Sequence, residues 1–424
     1  MPQLVIALII TVLVIISFSV QVIPLPLTAM LGALAMVVFG IIEPADAISA
    51  FGSDTVMMVA GVIIIGNAIF ETGLAEKLGA SILNLPIIGG KEKRLLLIVM
   101  IIITVLSAFV SNTAAVAMFL PLVASIAQSS NGKIKKKNCY MAMGIASVVG
   151  GFCTQSGSTP QMVAQEILLE TDGLRGLTFF ELTKIGILIA IVMFIYFLTV
   201  GYRLQERCFN FPEVPNTSTT QQTVSQSTWK QVVSGLILVG CVIGFISGVL
   251  SFGIISLLSA CACILTGCIS QKRVFETMDW STIIVLGGSI GFANGMEESG
   301  AVNLIGDALV NSFGQNGGNV LLVFGMIILL TALLSNVMSN TATVAVLAPL
   351  GIDVALKMGA DPITFVIGII IASNLAFATP IGTPPMTMVL IGGYRFSDYV
   401  KVGGLFNVIA VIVTIFAVPL LYGF

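Results

Sequence analysis

The sequence predicts an all-α polytopic membrane protein made of two inverted-topology repeats, with about ten transmembrane helices, two re-entrant hairpins and broken helices at the membrane midplane. Three observations lead there. The chain is 57% hydrophobic and 9% charged, with a mean hydropathy of +1.08, whereas soluble domains carry roughly 25% charged residues. Apolar runs near 20 residues recur along its 424 residues, each long enough for a hydrocarbon core of about 30 Å. The chain also repeats itself. "SNTAAVAMFLPL" from Ser111 and "SNTATVAVLAPL" from Ser339 share eight of twelve positions at an offset of 228. "ETGLAEKLG" from Glu71 pairs with "ESGAVNLIG" from Glu298 at 227, and "TQSGSTP" from Thr154 with "TPIGTPP" from Thr379 at 225. Three landmarks in one order at nearly one offset define two homologous halves, 1–205 and 231–424. Between them, 206–230 is a Ser/Thr/Gln-rich polar linker without an apolar face.

The N-terminal stretch lacks the basic region of a cleaved signal and reads as a retained span. Ordinary crossings fall near 4–23, 27–42, 55–70 and 182–204, then near 231–249, 252–270, 281–296 and 401–422. Two segments per half do not fit one crossing. Residues 95–127 are 33 without a charge; as one helix they would run about 50 Å, too long for the bilayer core. Ser111, Asn112 and Thr113 lie near the middle, and these types are better N-caps than helix-interior residues. A hairpin with the triplet at its tip explains both facts, and 320–352 has the same design around Ser339, Asn340 and Thr341. The second odd segments, 139–169 and 364–392, are interrupted by "GSTP" and "GTPP". Gly and Pro together break a helix, and freed backbone at membrane depth is tolerated only where it lines a cavity or site.

Five crossings plus a returning hairpin per half turn the second half upside down. The resulting topology places all but Arg175, Lys184 and Lys357 of the 18 Lys and Arg residues on one side. That side is cytoplasmic by the positive-inside rule, so the linker lies in the cytoplasm and both termini outside the cell membrane. Seven cysteines without a CxxC pattern and the absence of histidine argue against a metal cluster. No Gly-rich phosphate loop follows a strand, which argues against ATP drive on this chain. A net charge of −2 offers nothing to nucleic acid.

Inverted repeats with paired discontinuous helices point to a secondary transporter with its site near the midplane. At each hairpin tip the following arm presents unpaired N–H groups and a positive dipole end. Ser and Thr hydroxyls and the Asn amide add neutral donors, which makes an anion site without a buried Lys or Arg. The same residues, with carbonyls freed at the breaks, supply neutral oxygens that suit Na⁺.

Both triplets and both Gly-[Ser/Thr]-x-Pro breaks resemble the divalent anion/sodium symporters, which carry dicarboxylates, tricarboxylates or sulfate, and the resemblance covers nearly the whole chain. It implies Na⁺-coupled uptake of a small anion, of the succinate, malate or citrate kind, by a homodimer moving a transport domain as an elevator. It also implies that Ser111, Asn112, Thr113, Ser339, Asn340 and Thr341 hold substrate carboxylates, with Ser158 and Thr383 facing substrate. A first Na⁺ site then matches Ser107, Ser111, Asn112 and Gly157, and a second Ser335, Met338, Asn340 and Gly382. Departures from the family pattern are Thr159 for Pro, Gln161 for Asn and Met386 for Asn, and the chain is short for the family by one N-terminal span. A Na⁺/H⁺ antiporter or an oxyanion (sulfate- or arsenite-type) permease is the alternative. An antiporter calls for intramembrane Asp or His near the breaks, and neither hairpin segment contains one. An integral-membrane enzyme would need an acid, base, nucleophile or metal cluster in the cavity, which the spans do not offer.

Overall fold

The computed structural model describes residues 2–20, 23–74, 77, 91–130, 133–210, 228–247, 249–302, 304, 319–336, 339–380 and 382–424. Among these the structure is helical without strands. The first half holds α1 (Pro2–Val20), α2 (Leu25–Val38), α3 (Pro44–Ser49), α4 (Asp54–Glu71), α5 (Glu92–Ser107), α6 (Asn112–Ser129), α7 (Lys137–Gly151), α8 (Thr159–Glu170), α9 (Thr183–Leu198) and α10 (Val200–Cys208). The second holds α11 (Thr228–Ser247), α12 (Phe252–Leu265), α13 (Gln271–Thr277), α14 (Trp280–Glu298), α15 (Val320–Ser335), α16 (Asn340–Met358), α17 (Pro362–Asn374), α18 (Pro384–Met388) and α19 (Gly404–Tyr422).

Each of α1 to α8 starts 225–228 residues before its counterpart in α11 to α18. The starts are set by local chemistry. Ser53 Oγ accepts from Val56 N at 3.3 Å to cap α4, and in the other half Asp279 Oδ1 accepts from Thr282 N at 3.1 Å to cap α14. Pro160 in α8 and Pro384 in α18 sit in the first turn, where a missing N–H costs nothing.

Both 33-residue apolar segments are two helices, broken at the triplets. Arms of 16 and 18 residues (α5, α6) and of 16 and 19 residues (α15, α16) correspond to about 24–29 Å each. The segments around "GSTP" and "GTPP" are broken as well, into α7 and α8 and into α17 and α18. The expected single crossing at 182–204 is instead two helices, α9 and α10, bent by 49° at Thr199. The short helices α3 and α13 precede α4 and α14; at six and seven residues they are too brief for a periodicity signal. By length and apolar composition, four described stretches can cross a membrane alone: Pro44–Glu71, Thr228–Ser247, Asn340–Met358 and Phe396–Tyr422. Shorter apolar helices make up the rest. Of the linker 206–230, residues up to Cys208 continue α10, and 211–227 lie outside the described residues.

Packing crosses between the halves. α4 lies against α12 and α2 against α14, while α8 packs on α16 and α18 on α6. Each pair joins an element of one half to one of the other, so neither half buries its apolar faces alone. Within halves, α5 packs on α7 and α15 on α17. The most thoroughly buried helices are α7, α8 and α17, in which even Ser147, Gln161 and Asn374 have at most 1% exposure.

Candidate functional site

The two tips are built alike. Ser111 (φ −50°, ψ 128°) and Ser339 (φ −61°, ψ 137°) leave the helical region one residue before α6 and α16, so Asn112 and Asn340 begin the second arms. Ser158 (φ −155°) and Thr383 (φ −143°) do the same before α8 and α18.

Each Asn turns back into its own half. One amide heteroatom of Asn112 sits 2.7 Å from Ser107 Oγ, 3.2 Å from Ser147 O and 3.3 Å from Gly157 O. The corresponding heteroatom of Asn340 sits 2.7 Å from Ser335 Oγ, 3.1 Å from Ser373 O and 3.2 Å from Gly382 O. A nitrogen at that position has two hydrogens to share among the three neighbours. An oxygen there accepts from the Ser107 or Ser335 hydroxyl and faces two backbone carbonyl oxygens besides, a cradle that suits a cation between them. Ser107, Ser147, Ser335 and Ser373 are all 0% exposed. The donor set is neutral hydroxyl, amide and carbonyl oxygen, the chemistry of a hard monovalent cation and not of a thiolate or imidazole metal. Among the described residues no group of His, Cys, Asp or Glu is placed to hold a metal ion.

The loops between the broken helices are tied to the first arms. Thr154 Oγ1 donates to Ala108 O, and Thr379 Oγ1 donates to Asn336 O at 3.2 Å. Glycine is needed where the loops close: a Cβ on Gly157 would stand 2.1 Å from Gly151 O, and one on Gly382 2.5 Å from Ala376 O. The departures from the family pattern are internal supports. Gln161, fully buried, donates from Nε2 to Gly151 O at 2.8 Å and Thr154 O at 3.0 Å, clamping the first loop. Met386, at the matched position, is equally buried and offers its backbone oxygen to Tyr399 OH at 2.8 Å.

Two contacts join the halves at the breaks. Thr159 Oγ1 lies 2.7 Å from Thr341 Oγ1, and Ser158 Oγ donates to Asn374 Oδ1 at 2.9 Å. The N-termini of α6, α8 and α16 are thereby linked: α6 to the α8 loop through Asn112, and α8 to α16 through the two threonines. Their dipoles and free N–H groups favour an anion. Thr383 Oγ1 is buried and has no hydrogen-bond partner among the described residues, whereas its counterpart Ser158 is satisfied by Asn374.

The structure thus brings Ser107, Asn112 and Gly157 into one cluster and Ser335, Asn340 and Gly382 into a second. Ser111 and Ser339 are helix caps beside them, with Ser111 exposed. Ser158 and Thr341 lie at the junction of the halves, through Asn374 and Thr159. Thr113, half-buried, follows Asn112 in the first turn of α6. Met338 lies outside the described residues. Sequence reasoning missed Ser147, Ser373 and Asn374, which carry no motif; Thr154 and Thr379 were visible as repeat landmarks without a role.

The sequence pattern of the citrate transporter family (CitMHS) matches residues 6–358 and 242–424. The chain belongs to the citrate transporter family. It is a membrane transporter and not an enzyme, which bears out the resemblance to divalent anion/sodium symporters. It is 27% identical over 403 residues to an uncharacterized transporter of Haemophilus influenzae, covering 91% of this chain and 85% of the relative. It is 25% identical over 453 residues to the sodium-dependent high-affinity dicarboxylate transporter 3 of Caenorhabditis elegans, covering 93% and 79%. The fold is similar to that of the Alcanivorax borkumensis YdaH transporter, with a TM-score of 0.63 at 14% identity over 92% of this chain and 88% of that one.

Proposed function

We propose that this transporter takes up a small di- or tricarboxylate together with Na⁺, by alternating access around the two tips. The observation that carries the reading is the matched pair of oxygen clusters at Asn112 and Asn340. Each brings a hydroxyl and two backbone carbonyls within 3.3 Å of one amide heteroatom. With Oδ1 turned inward, each cluster coordinates one Na⁺, and the outward Nδ2 faces a substrate carboxylate. Ser111 and, at the second tip, Met338 complete the two ion sites. Ser111, Thr113, Ser339 and Thr341 then receive the carboxylates, and the unpartnered Thr383 hydroxyl and Ser158 close around them. The relative named as a sodium-dependent dicarboxylate transporter supports both the ion and the substrate class.

The same reading takes 1–205 and 231–424 as inverted repeats, with the linker cytoplasmic and both termini outside the cell membrane. The hairpin and broken-helix elements form the moving body of an elevator, in a homodimer held by the remaining helices.

Uptake of labelled succinate, citrate and sulfate into proteoliposomes tests the proposal. A Na⁺ gradient should accelerate uptake of a di- or tricarboxylate. Uptake that ignores Na⁺ and follows a pH gradient overturns the ion assignment, and transport of sulfate alone makes the protein an oxyanion permease.

A further inference from the structure

The two oxygen clusters are alike in chemistry and unlike in what supports them. In the second half the support comes from Asn336, the residue at the end of α15. Its Nδ2 donates to Ala332 O at 2.8 Å, in the last turn of α15, and to Leu375 O at 3.2 Å, just past the end of α17. Carbonyls at helix ends lack an internal partner, and one amide here serves two of them. Its Oδ1 accepts from Ala378 N at 3.2 Å. Turning this amide over would set N–H against N–H and oxygen against oxygen, so its neighbours fix its orientation.

The backbone of Asn336 extends the connection. Thr379 Oγ1 donates to Asn336 O at 3.2 Å and accepts from Gly382 N at 3.1 Å. Gly382 O in turn lies 3.2 Å from the Asn340 amide heteroatom. A chain of contacts therefore runs from the first arm of the hairpin, through the loop between α17 and α18, to an oxygen of the cluster.

The first half does not use this device. At the hairpin offset of 228 the counterpart of Asn336 is Ala108, whose side chain has no polar atom; its carbonyl accepts from Thr154 Oγ1. Gln161 holds that loop instead, from α8, through Gly151 O and Thr154 O. At the break offset of 225 the counterpart of Gln161 is Met386, whose side chain has no N–H. Asn336 thus ties a hairpin to a broken helix, whereas the bonds of the Gln161 amide stay within a broken helix.

We propose that Asn336 is a positioning residue for the second cation site, fixing Gly382 O against Asn340 through Thr379. The proposal rests on the reading of the clusters as Na⁺ sites. A backbone carbonyl serves a cation well when its loop is held in place before the ion arrives. Without the Asn336 side chain the loop at Ala378 and Thr379 loses its tie to the hairpin, and the second ion binds more weakly while the first keeps its own support.

The test uses Na⁺ alone. The thermal unfolding midpoint of the purified full-length protein is followed as NaCl replaces choline chloride at constant ionic strength, so that a bound ion reads as a rise. Loss of a supporting contact weakens an ion site roughly tenfold, and at one of two equal sites this raises the Na⁺ needed for a given rise about threefold. Asn336→Ala should show that shift. Thr379→Val should show it too, and Thr379→Ser, which keeps the hydroxyl, should respond as the wild type does; this pair carries the test if Asn336→Ala does not fold. Asn67→Ala removes bonds of 3.0 Å to Thr277, outside the hairpins and broken helices. It should lower the midpoint and leave the Na⁺ response unchanged; a shift equal to that of Asn336→Ala would reduce the effect to general loosening and overturn the proposal. An Asn336→Ala protein that is less stable in both salts but keeps the wild-type Na⁺ response also overturns it, because Asn336 would then only join helices. A wild type whose midpoint ignores Na⁺ overturns the ion reading itself, and this proposal with it.

Discussion

Thr159 Oγ1 and Thr341 Oγ1 lie 2.7 Å apart, joining the broken helix of one half to the hairpin tip of the other. A proline at position 159 would carry no hydroxyl, so the bond depends on the threonine there. Thr159→Val should leave the Thr341 hydroxyl, on a residue 5% exposed, without this partner at a cost of about 1–3 kcal/mol. Thr341→Val should behave alike. The double variant should cost less than the sum of the two, and a double-mutant cycle on the unfolding midpoint measures the coupling. Additive losses would mean that the two hydroxyls do not interact.

Asn112→Ala and Asn340→Ala test whether the tips form one site. On the proposed reading each removes a hydrogen bond to a substrate carboxylate, about 1.5–3 kcal/mol, or roughly ten- to a hundredfold in substrate affinity. Comparable losses at both tips, each with a weaker response to Na⁺, are expected for a dicarboxylate spanning them. One silent tip indicates a smaller anion. If both variants bind substrate and respond to Na⁺ as the wild type does, the triplets only hold helices together.

Gly157→Ala and Gly382→Ala should each abolish transport. The added Cβ would meet backbone oxygen at 2.1 Å and 2.5 Å, respectively, and backbone moves away only by opening the loop that carries the Asn contact. Gly52→Ala meets nothing within 4 Å and should transport normally. Normal uptake by Gly157→Ala would show that this loop does not shape the site.

Orientation is read by labelling. In a cysteine-free background, a single cysteine at Lys272, with 86% side-chain exposure, should be shielded from impermeant thiol reagents in intact cells. One at Arg175, with 57% exposure, should react readily. The reverse pattern inverts the topology.

The loop between α8 and α9 should be acid-labile. Burial opposes the charge of Glu181, but Arg175 at 2.6 Å and the Thr178 backbone N–H outweigh it, and the carboxyl titrates below its ordinary value of 4.5. A depressed carboxyl contributes stability that is fully present above the unfolded value and is lost as pH falls through the lower folded one. Arg175 is largely exposed, which limits the contribution to about 1 kcal/mol or less. Arg175→Ala should therefore lower the unfolding midpoint at pH 7 and shrink the gap to the wild type below pH 4. A gap that persists in acid would assign the loss to packing.

The sequence alone determined the helical membrane class, the twice-repeated order of landmarks and the positions of the breaks. Each follows from local chemistry: apolar run length, a repeated order of landmarks, and the inability of Ser-Asn-Thr or Gly-x-x-Pro to continue a helix. It placed Asn112, Gly157, Asn340 and Gly382 in candidate sites because they sit in those repeated motifs. Only the tertiary structure decided what lies opposite them. Ser147 and Ser373 enter through backbone carbonyls, which any residue type supplies, so composition carries no trace of them. Asn374 meets Ser158 across 216 positions of sequence, and no periodicity encodes a contact that the packing of one half on the other creates. Asn336 reads as one more polar residue before the triplet, in "LLSNVMSNT". Its bonds to Leu375, Ala378 and Thr379 become visible only when the hairpin packs on the broken helix, because a side chain's partners are neighbours that the local sequence does not contain.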